Sequence, residues 1–316
     1  MLWAMDEDNS QPVPEAQTPP GSREPEEVIL EVQGLGRSYG ETRALDGLSF
    51  RVHAGEVLGL VGPNGAGKTT ALRSIAGILP IREGSVRIAG FDVQSQEVQA
   101  KQRLGWVPDD PQPFETLTVL EHLEFTASLY GVKDWEARAE ELLETFELGA
   151  KRDALGGELS RGMRQKLAIA CAWLPAPKLV LLDEPLSGLD PRGIRSARLA
   201  IEQLADSGTA LILSSHQLEL VEALADTLLI VNQGRPGYMG TLAGARASLG
   251  VGDSSSLEEI FFAATSAEVA ENSRDAFLEG EAGESDFLQG QATDLLSEEL
   301  RDPDAGGLGA GDEERR

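Results

Sequence analysis

From Val28 onward, apolar and polar positions alternate in the manner of folded protein. VILEVQGL and LSFRV have the two-residue period of half-buried strands, with the turn-rich RSYGETRALDG between them, so an antiparallel layer is expected to open the fold. EVLGLVG is a short apolar run ending in a Gly-rich turn, and KTTALRSIAGIL after it has helical spacing. Residues 81 to 107 return to strand-like and polar segments. TVLEHLEFTASLYG, DWEARAEELLETFEL and SRGMRQKLAIACAWL then predict three helices in the middle of the chain. KLVLLDE, a helix over 193 to 206, TALILSS, a helix over 217 to 225, and TLLIVNQGR complete the pattern. Strands and helices in that alternation predict a parallel sheet with helical crossovers. No internal repeat is visible.

Charge divides the chain differently from hydropathy. Of the net −26 over 316 residues, residues 1 to 27 carry −6 (seven acids, one Arg) and residues 268 to 316 carry −11 (fifteen acids, four Arg), which leaves −9 for the rest. Both ends are poor in aromatics and rich in Glu, Asp, Gly, Pro or Ser, so they cannot bury enough apolar surface to offset the entropy of ordering. Disordered tails are expected at 1–27 and 266–316, around one domain over 28–265. Leu and Phe at Phe277, Leu278, Phe287, Leu288, Leu295 and Leu296 keep a short partner-binding helix open. Nucleic acid and anionic membrane surfaces demand clustered Lys and Arg, so neither is expected as the direct ligand.

Cys171 is the one cysteine and has no internal disulfide partner; it reads as a small core residue in a reducing, cytosolic compartment. No stretch approaches the roughly 18 apolar residues that cross a bilayer, and MLWAMDEDNS lacks the basic-then-apolar order of a signal peptide. A soluble protein is expected.

The chemistry is carried by two short segments. GPNGAGKT, residues 62 to 69, satisfies G-x-x-x-x-G-K-[ST] after a strand and at the opening of a helix. Gly62, Gly65 and Gly67 let backbone N–H groups of the loop, which includes Pro63, Asn64 and Ala66, turn inward around phosphate oxygens. The helix N-terminus, with Thr70 in its first turn, adds partial positive charge. Lys68 supplies a formal charge to the β- and γ-phosphates, and Thr69 a hydroxyl for Mg²⁺. A turn that bound nothing would need neither the Lys nor the Thr. LVLLDEP, residues 179 to 185, is a buried parallel strand with two carboxylates at its carboxyl end. Asp183 would hold Mg²⁺ through water and Glu184 would polarise the attacking water as general base. By itself such a pair could as well cap the next turn; the upstream loop favours chemistry.

Those two segments leave several ATPase classes open, and ELSRGMRQKLAIACAWL decides among them: it resembles the signature of the ABC transporter ATP-binding proteins. The resemblance covers about residues 28 to 265. It implies an α/β fold, a P-loop NTPase core with a mainly parallel sheet, an antiparallel β layer and an inserted helical subdomain at about 109–175. It also implies ATP and Mg²⁺ as ligands, a dimer of ATPase subunits, identical or not, and a separate membrane-spanning permease. The chain would then be cytoplasmic and peripheral on the inner face of the cell membrane.

Carried over position by position, the signature spans Leu159 to Arg164, with Ser160 and Gly162 facing the nucleotide of the other subunit. Arg161 stands where Gly is commoner and can add positive charge near phosphate, while Arg164, Gln165 and Lys166 read as a solvated helix face. SGLD, residues 187 to 190, resembles the loop whose Asp190 couples the two sites across the dimer. His216 in LILSSH resembles the histidine that contacts γ-phosphate. Tyr39 falls where the family stacks adenine, an interaction worth roughly 1 to 3 kcal/mol. In LGWVPDDPQPF the family normally has Gln where this chain has Asp109, a candidate Mg²⁺ ligand; Gln112 would substitute if the loop were longer. His53 and His122 match nothing and read as structural.

Phe114, Leu117 and Leu120 read equally as permease contacts or as core. SLEEIFFAAT resembles the ending of ATPases paired with ABC-2 type exporters, which points to export. The rival expectation is a soluble ABC-type ATPase without a membrane partner. Its translation-type form would carry two nucleotide domains and its chromosome-type form a long heptad insertion, and neither is present. A catalytically dead regulatory subunit is discouraged by Lys68, Asp183, Glu184 and His216.

Overall fold

The computed structural model describes residues 27–252 and 255–265. The tails expected at 1–27 and 266–316, Glu27 excepted, lie outside the described residues, as do Phe277 and the other apolar positions beyond Thr265.

Two sheets form the body. β1 (Val28–Tyr39), β2 (Thr42–His53), β4 (Glu83–Ile88) and β5 (Phe91–Asp92) make an antiparallel sheet in the order β2-β1-β4-β5. β3 (Val57–Val61), β6 (Leu104–Val107), β7 (Leu179–Asp183), β8 (Ala210–Ser214), β9 (Thr227–Asn232) and β10 (Arg235–Thr241) make the second, in the order β10-β9-β3-β8-β7-β6. Every pair in the second sheet is parallel except β9 with β10. RSYGETRALDG, expected to be mostly turn, is a correction: the strands run on to Tyr39 and resume at Thr42, and only Gly40 and Glu41 turn. Gly40 takes φ +57°, which lets two residues reverse the chain while the ladder absorbs the polar residues at register shifts.

The central strands of the second sheet, β3, β7 and β8, are buried on both faces, and their period of two sorts their side chains into two cores. Leu58, Leu60, Leu179, Leu181 and Ile212 pack under the antiparallel sheet and α1 (Lys68–Ile75). Val57, Val61, Val180, Leu182, Leu211 and Leu213 face the crossover helices on the other side. β6 and β7 pair directly, yet 71 residues separate Val107 from Leu179. After the short α2 (Glu97–Lys101), that crossover holds α3 (Val119–Tyr130), α4 (Glu136–Thr145) and α5 (Arg161–Trp173). α6 (Pro191–Asp206), α7 (Leu218–Leu224), α8 (Leu242–Ser248) and α9 (Leu257–Thr265) follow.

Caps fix where the helices begin. Thr118 and Glu121 form a reciprocal capping box at α3, Ser160 caps α5 through Met163 N–H (3.3 Å), and Asp190 caps α6 through Gly193 N–H (2.8 Å) with Pro191 in the first turn. Each cap satisfies a backbone donor that the helix cannot. Cys171 is half-buried against the helical core, and burial pushes its thiol up to about 12, so thiolate is scarce at neutral pH and the sulfur is inert.

Phe146, fully buried after α4, sets its ring 5.6 Å from that of Trp173 at the end of α5. Phe146→Ala should therefore lower unfolding free energy by about 3–5 kcal/mol. Urea denaturation measures this, and a loss below about 1 kcal/mol would mean that the ring does not hold α4 on α5.

Candidate functional site

The carboxyl ends of the central parallel strands converge on one cleft. β3 ends at Val61 and feeds the Gly62–Gly67 loop into α1; β7 ends at Asp183; β8 ends at Ser214, two residues before His216. The ladder puts Ser214 beside both Leu60 and Asp183, so the three strand ends lie side by side. The cleft has a volume of about 450 Å³, and its lining includes Tyr39, Lys68, Asp109, Arg161, Asp183 and Glu184.

The loop's shape follows from its glycines at two points. Gly67 takes φ +109°, and a Cβ there would stand 2.4 Å from the Ala44 carbonyl oxygen, so neither the backbone nor the space admits another residue. Gly65, at φ +81°, lines the cleft, and a Cβ there would meet nothing within 4 Å. α1 begins with no side-chain cap and no acid in its first turn, unlike α3, α5 and α6. Its first-turn N–H groups and dipole are left to an anion from outside the chain.

Lys68 donates to the carbonyls of Gly62 (2.6 Å) and Pro63 (3.2 Å), which bends its ammonium back over the loop. Burial pulls its pKa down, while the charges of Glu184 and Asp183 oppose that. Thr69 Oγ1 donates to Asp183 Oδ1 at 3.4 Å. Asp183 is 3 % exposed. Burial raises its pKa, the hydrogen bond from Thr69 lowers it, and the nearby charge of Asp109 raises it again.

Glu184 leaves the strand in the left-handed region, at φ +50°, while its N–H donates to Ser214 O at 2.9 Å. A non-glycine residue there is strained by about 1–3 kcal/mol, and the consequence is a carboxylate turned toward its neighbours on the β8 side. Its Oε2 accepts from Ser215 Oγ (3.2 Å) and lies 2.8 Å from His216 Nδ1. The arrangement is a carboxylate held by Ser215 and His216 next to a lysine and a hydroxyl–carboxylate pair. Chemically it can cradle a polyphosphate, ligate a hard cation through oxygen and polarise a water.

Among the other expected residues, Asn64, Ala66, Thr70 and Asp109 also line the cleft; Gly62 and Pro63 build its loop. Tyr39 is exposed at its rim, with the Arg37 guanidinium 4.9 Å from the ring centroid. Gln112 turns away and donates to Asp110 (2.7 Å). Ser160, Gly162 and Asp190 do not line the cleft; they cap or begin α5 and α6 at the surface. His53 pairs with Glu56 (3.0 Å), and buried His122 bonds Thr118 O (2.7 Å), both away from the cleft.

The solvated face expected at Arg164, Gln165 and Lys166 is a correction. Gln165 is fully buried and donates to Pro108 O at 3.5 Å, and Lys166 lies largely covered against Glu147 at 3.2 Å. The α5 face that carries Leu167 and Ile169 into the core wraps far enough to take Gln165 with it. Ser187 and Ser215 were not singled out from the sequence. Ser215 had a signal in the run LILSSH, where a hydroxyl directly precedes the histidine. A larger groove, about 650 Å³, lies between α6, α7 and the start of α9 and shares His216 with the cleft. Its lining has no glycine loop and no lysine, and the smaller cleft is the candidate site.

Comparison with known proteins shows the family. Residues 45–187 match the family described as ABC transporter. The linearmycin resistance ATP-binding protein LnrL of Bacillus subtilis (strain 168) is 34 % identical over 215 residues, covering 67 % of this chain and 69 % of that protein. The daunorubicin/doxorubicin resistance ATP-binding protein DrrA of Streptomyces peucetius is 38 % identical over 223 residues, covering 70 % and 68 %. A solved ATP-binding subunit of an ABC transporter superposes with a TM-score of 0.73 at 33 % identity, covering 75 % of this chain and 100 % of that one.

Gly67→Ala is expected to lower stability by about 1–3 kcal/mol and to weaken ATP binding more than tenfold, because Ala44 O must move and the loop with it. Thermal unfolding and calorimetric titration with ATP read the two effects separately. Wild-type affinity in this variant would mean that the loop does not form the cradle.

Proposed function

This chain belongs to the ABC transporter ATP-binding proteins, and from that membership we propose that two ATPase subunits close around two Mg·ATP and thereby drive a separate membrane permease in the direction of export. The chain is the ATP-binding and ATP-hydrolysing subunit of such a transporter. The observation that carries the reading is the convergence of Lys68, the Thr69–Asp183 pair and the Glu184–Ser215–His216 group in one glycine-edged cleft.

Nucleotide fits this cleft because the uncapped start of α1 and Lys68 offer donors and positive charge where a polyphosphate would lie. Tyr39 at the rim offers a face for the base. Mg²⁺ fits because Thr69 and Asp183 present a hydroxyl and a carboxylate together, the hard oxygen donors that this ion takes, with Asp109 on the same cleft. When bound, the ion would neutralise charge on the phosphates. Glu184 takes the role of general base: Ser215 and His216 hold its carboxylate so that it can accept a proton from the attacking water. His216, more than half exposed, also reaches toward the phosphate side.

Three surface residues support the dimer. Ser160, Gly162 and Asp190 stand at exposed or half-exposed helix starts outside their own cleft, where a second copy could receive them. The permease half of the proposal is supported by an outward aromatic patch on the inserted segment. Phe114, in the loop before α3, is 56 % and Phe125, on α3, 47 % exposed, with ring centroids 5.5 Å apart, and Leu129 and Leu155 of the same segment are exposed too. Leu120, in contrast, packs against the core. No helix among the described residues is long and apolar enough to cross a membrane, so the path for the cargo would come from the partner. That partner would keep the subunit on the inner face of the membrane. Export is the proposed direction because LnrL and DrrA are resistance ATP-binding proteins.

Glu184→Gln should slow ATP hydrolysis by about 10²–10⁴-fold with binding retained, and unchanged turnover would remove Glu184 from the mechanism. Tagged Glu184→Gln protein, purified with ATP from detergent-solubilised membranes, should bring down a multi-span membrane protein. Phe114→Ser with Phe125→Ser should lose that protein. Recovery of soluble partners alone would overturn the transporter half and leave the ATPase half standing.

A further inference from the structure

The cleft holds a second cation besides Lys68, and its source is unexpected. Arg161 is the first residue of α5, in the segment read as facing another subunit, yet its guanidinium points into the cleft of its own chain. Nη2 donates to Ser187 Oγ at 2.9 Å and pairs with Asp109 Oδ1 at 3.4 Å. The stem of the side chain lies across Gly188, at φ +76°, where a Cβ would stand 3.0 Å from Arg161 Cδ. The next residue is as tightly set: a Cβ on Gly162 would stand 2.8 Å from Gly188 O. Arg161 thus joins three segments, the loop after β6, the turn after β7 and the start of α5.

Electrostatics gives the contact a purpose. Asp109, Asp183 and Glu184 line the cleft against Lys68 and Arg161. Without Arg161, three carboxylates would face one lysine at a site that must take a polyanion. Asp109 lines the same cleft as Asp183, so an unbalanced Asp109 charge is felt where the cation would bind.

Resting on the ATPase reading, we infer that Arg161 is a positioning residue for its own chain: it balances Asp109 and ties the start of α5 to the cleft, and it is not a ligand for the phosphates held by a second copy. An ion pair with side chains 50 % and 52 % exposed is a modest one, so the expected effect is severalfold and not a loss of function.

The test is a double-mutant cycle on the full-length protein with neutral, hydrogen-bonding substitutions, Arg161→Gln, Asp109→Asn and both together. Binding of a non-hydrolysable ATP analogue with Mg²⁺ is read by calorimetry, so turnover is not needed, and melting curves establish that all four forms are folded. Arg161→Gln alone should weaken the analogue about three- to fivefold. In the Asp109→Asn background the same substitution should change affinity less than about 1.5-fold, because the charge it balanced is gone. Equal weakening in both backgrounds would overturn the inference and assign Arg161 to the phosphate. No effect in either would overturn it too. Analogue that fails to bind even the unsubstituted protein would sink the nucleotide reading itself, a distinct result.

Discussion

The register of the ladder joining β3, β8 and β7 is the constraint on which the cleft depends. Ser214 stands opposite Leu60 on one side and Asp183 on the other, so the loop that follows Val61 and the acids that end β7 emerge at the same height. Side chains alternate across a strand with a period of two, so a slip of one residue would turn Asp183 away from Thr69 and put Leu182 in its place. The slip is resisted by burial: Leu179, Leu181, Val180 and Leu182 belong to two different cores, and each would have to change sides. Packing far from the acids thereby fixes the 3.4 Å contact between Thr69 and Asp183.

Strain and charge are held at the end of that ladder. Glu184 keeps a left-handed backbone because its N–H is taken by Ser214 O and its carboxylate by Ser215 and His216. The surroundings over-determine the conformation, as they must where a non-glycine residue holds such φ. In a chain with net charge −26, a polyanion is admitted only where local cations and oriented dipoles outweigh the general field. Lys68, the uncapped start of α1 and Arg161 gather at one such place.

What could be read from the sequence was chiefly what is contiguous in it. GPNGAGKT and the Asp-Glu pair carry their geometry in their own spacing, because a strand, a glycine turn and a helix start leave few ways to arrange eight residues. That the second sheet is mainly parallel followed from the alternation of strands and helices, though not the order of its strands, and the helices of the β6–β7 crossover followed from their period. The failures lay where partners distant in sequence decide. RSYGETRALDG looked like turn by composition, but ladder bonds to β1 and β2 held it extended except at Gly40 and Glu41. Gln165 looked solvated because Arg164 and Lys166 flank it; its burial depends on Pro108, 57 positions away, which no local period can report. The direction of Arg161 is of the same kind, since Asp109 and Ser187 lie on two other segments.

Those long-range contacts also connect the cleft to the outer surface. Asp109 and Phe114 lie on one loop, five residues apart, the first at the cleft and the second in the exposed aromatic patch. Each end is anchored. At the inner end Arg161 holds Asp109 and Gln165 holds Pro108, both from α5. At the outer end Phe114 stacks on His122 of α3 at 6.0 Å, and Gly156 fits beneath it, where a Cβ would stand 2.4 Å from Phe114 O. A push on the aromatic patch would bear on α3 and on the contacts of the loop with α5. Ser160 caps α5 and Gly162 lies in its first turn, so if a second subunit receives them as proposed, the same displacement would reach that face. Under the proposed function, the loop from Pro108 to Phe114 is therefore a continuous physical path between a membrane partner and the nucleotide, linked at its inner end to α5.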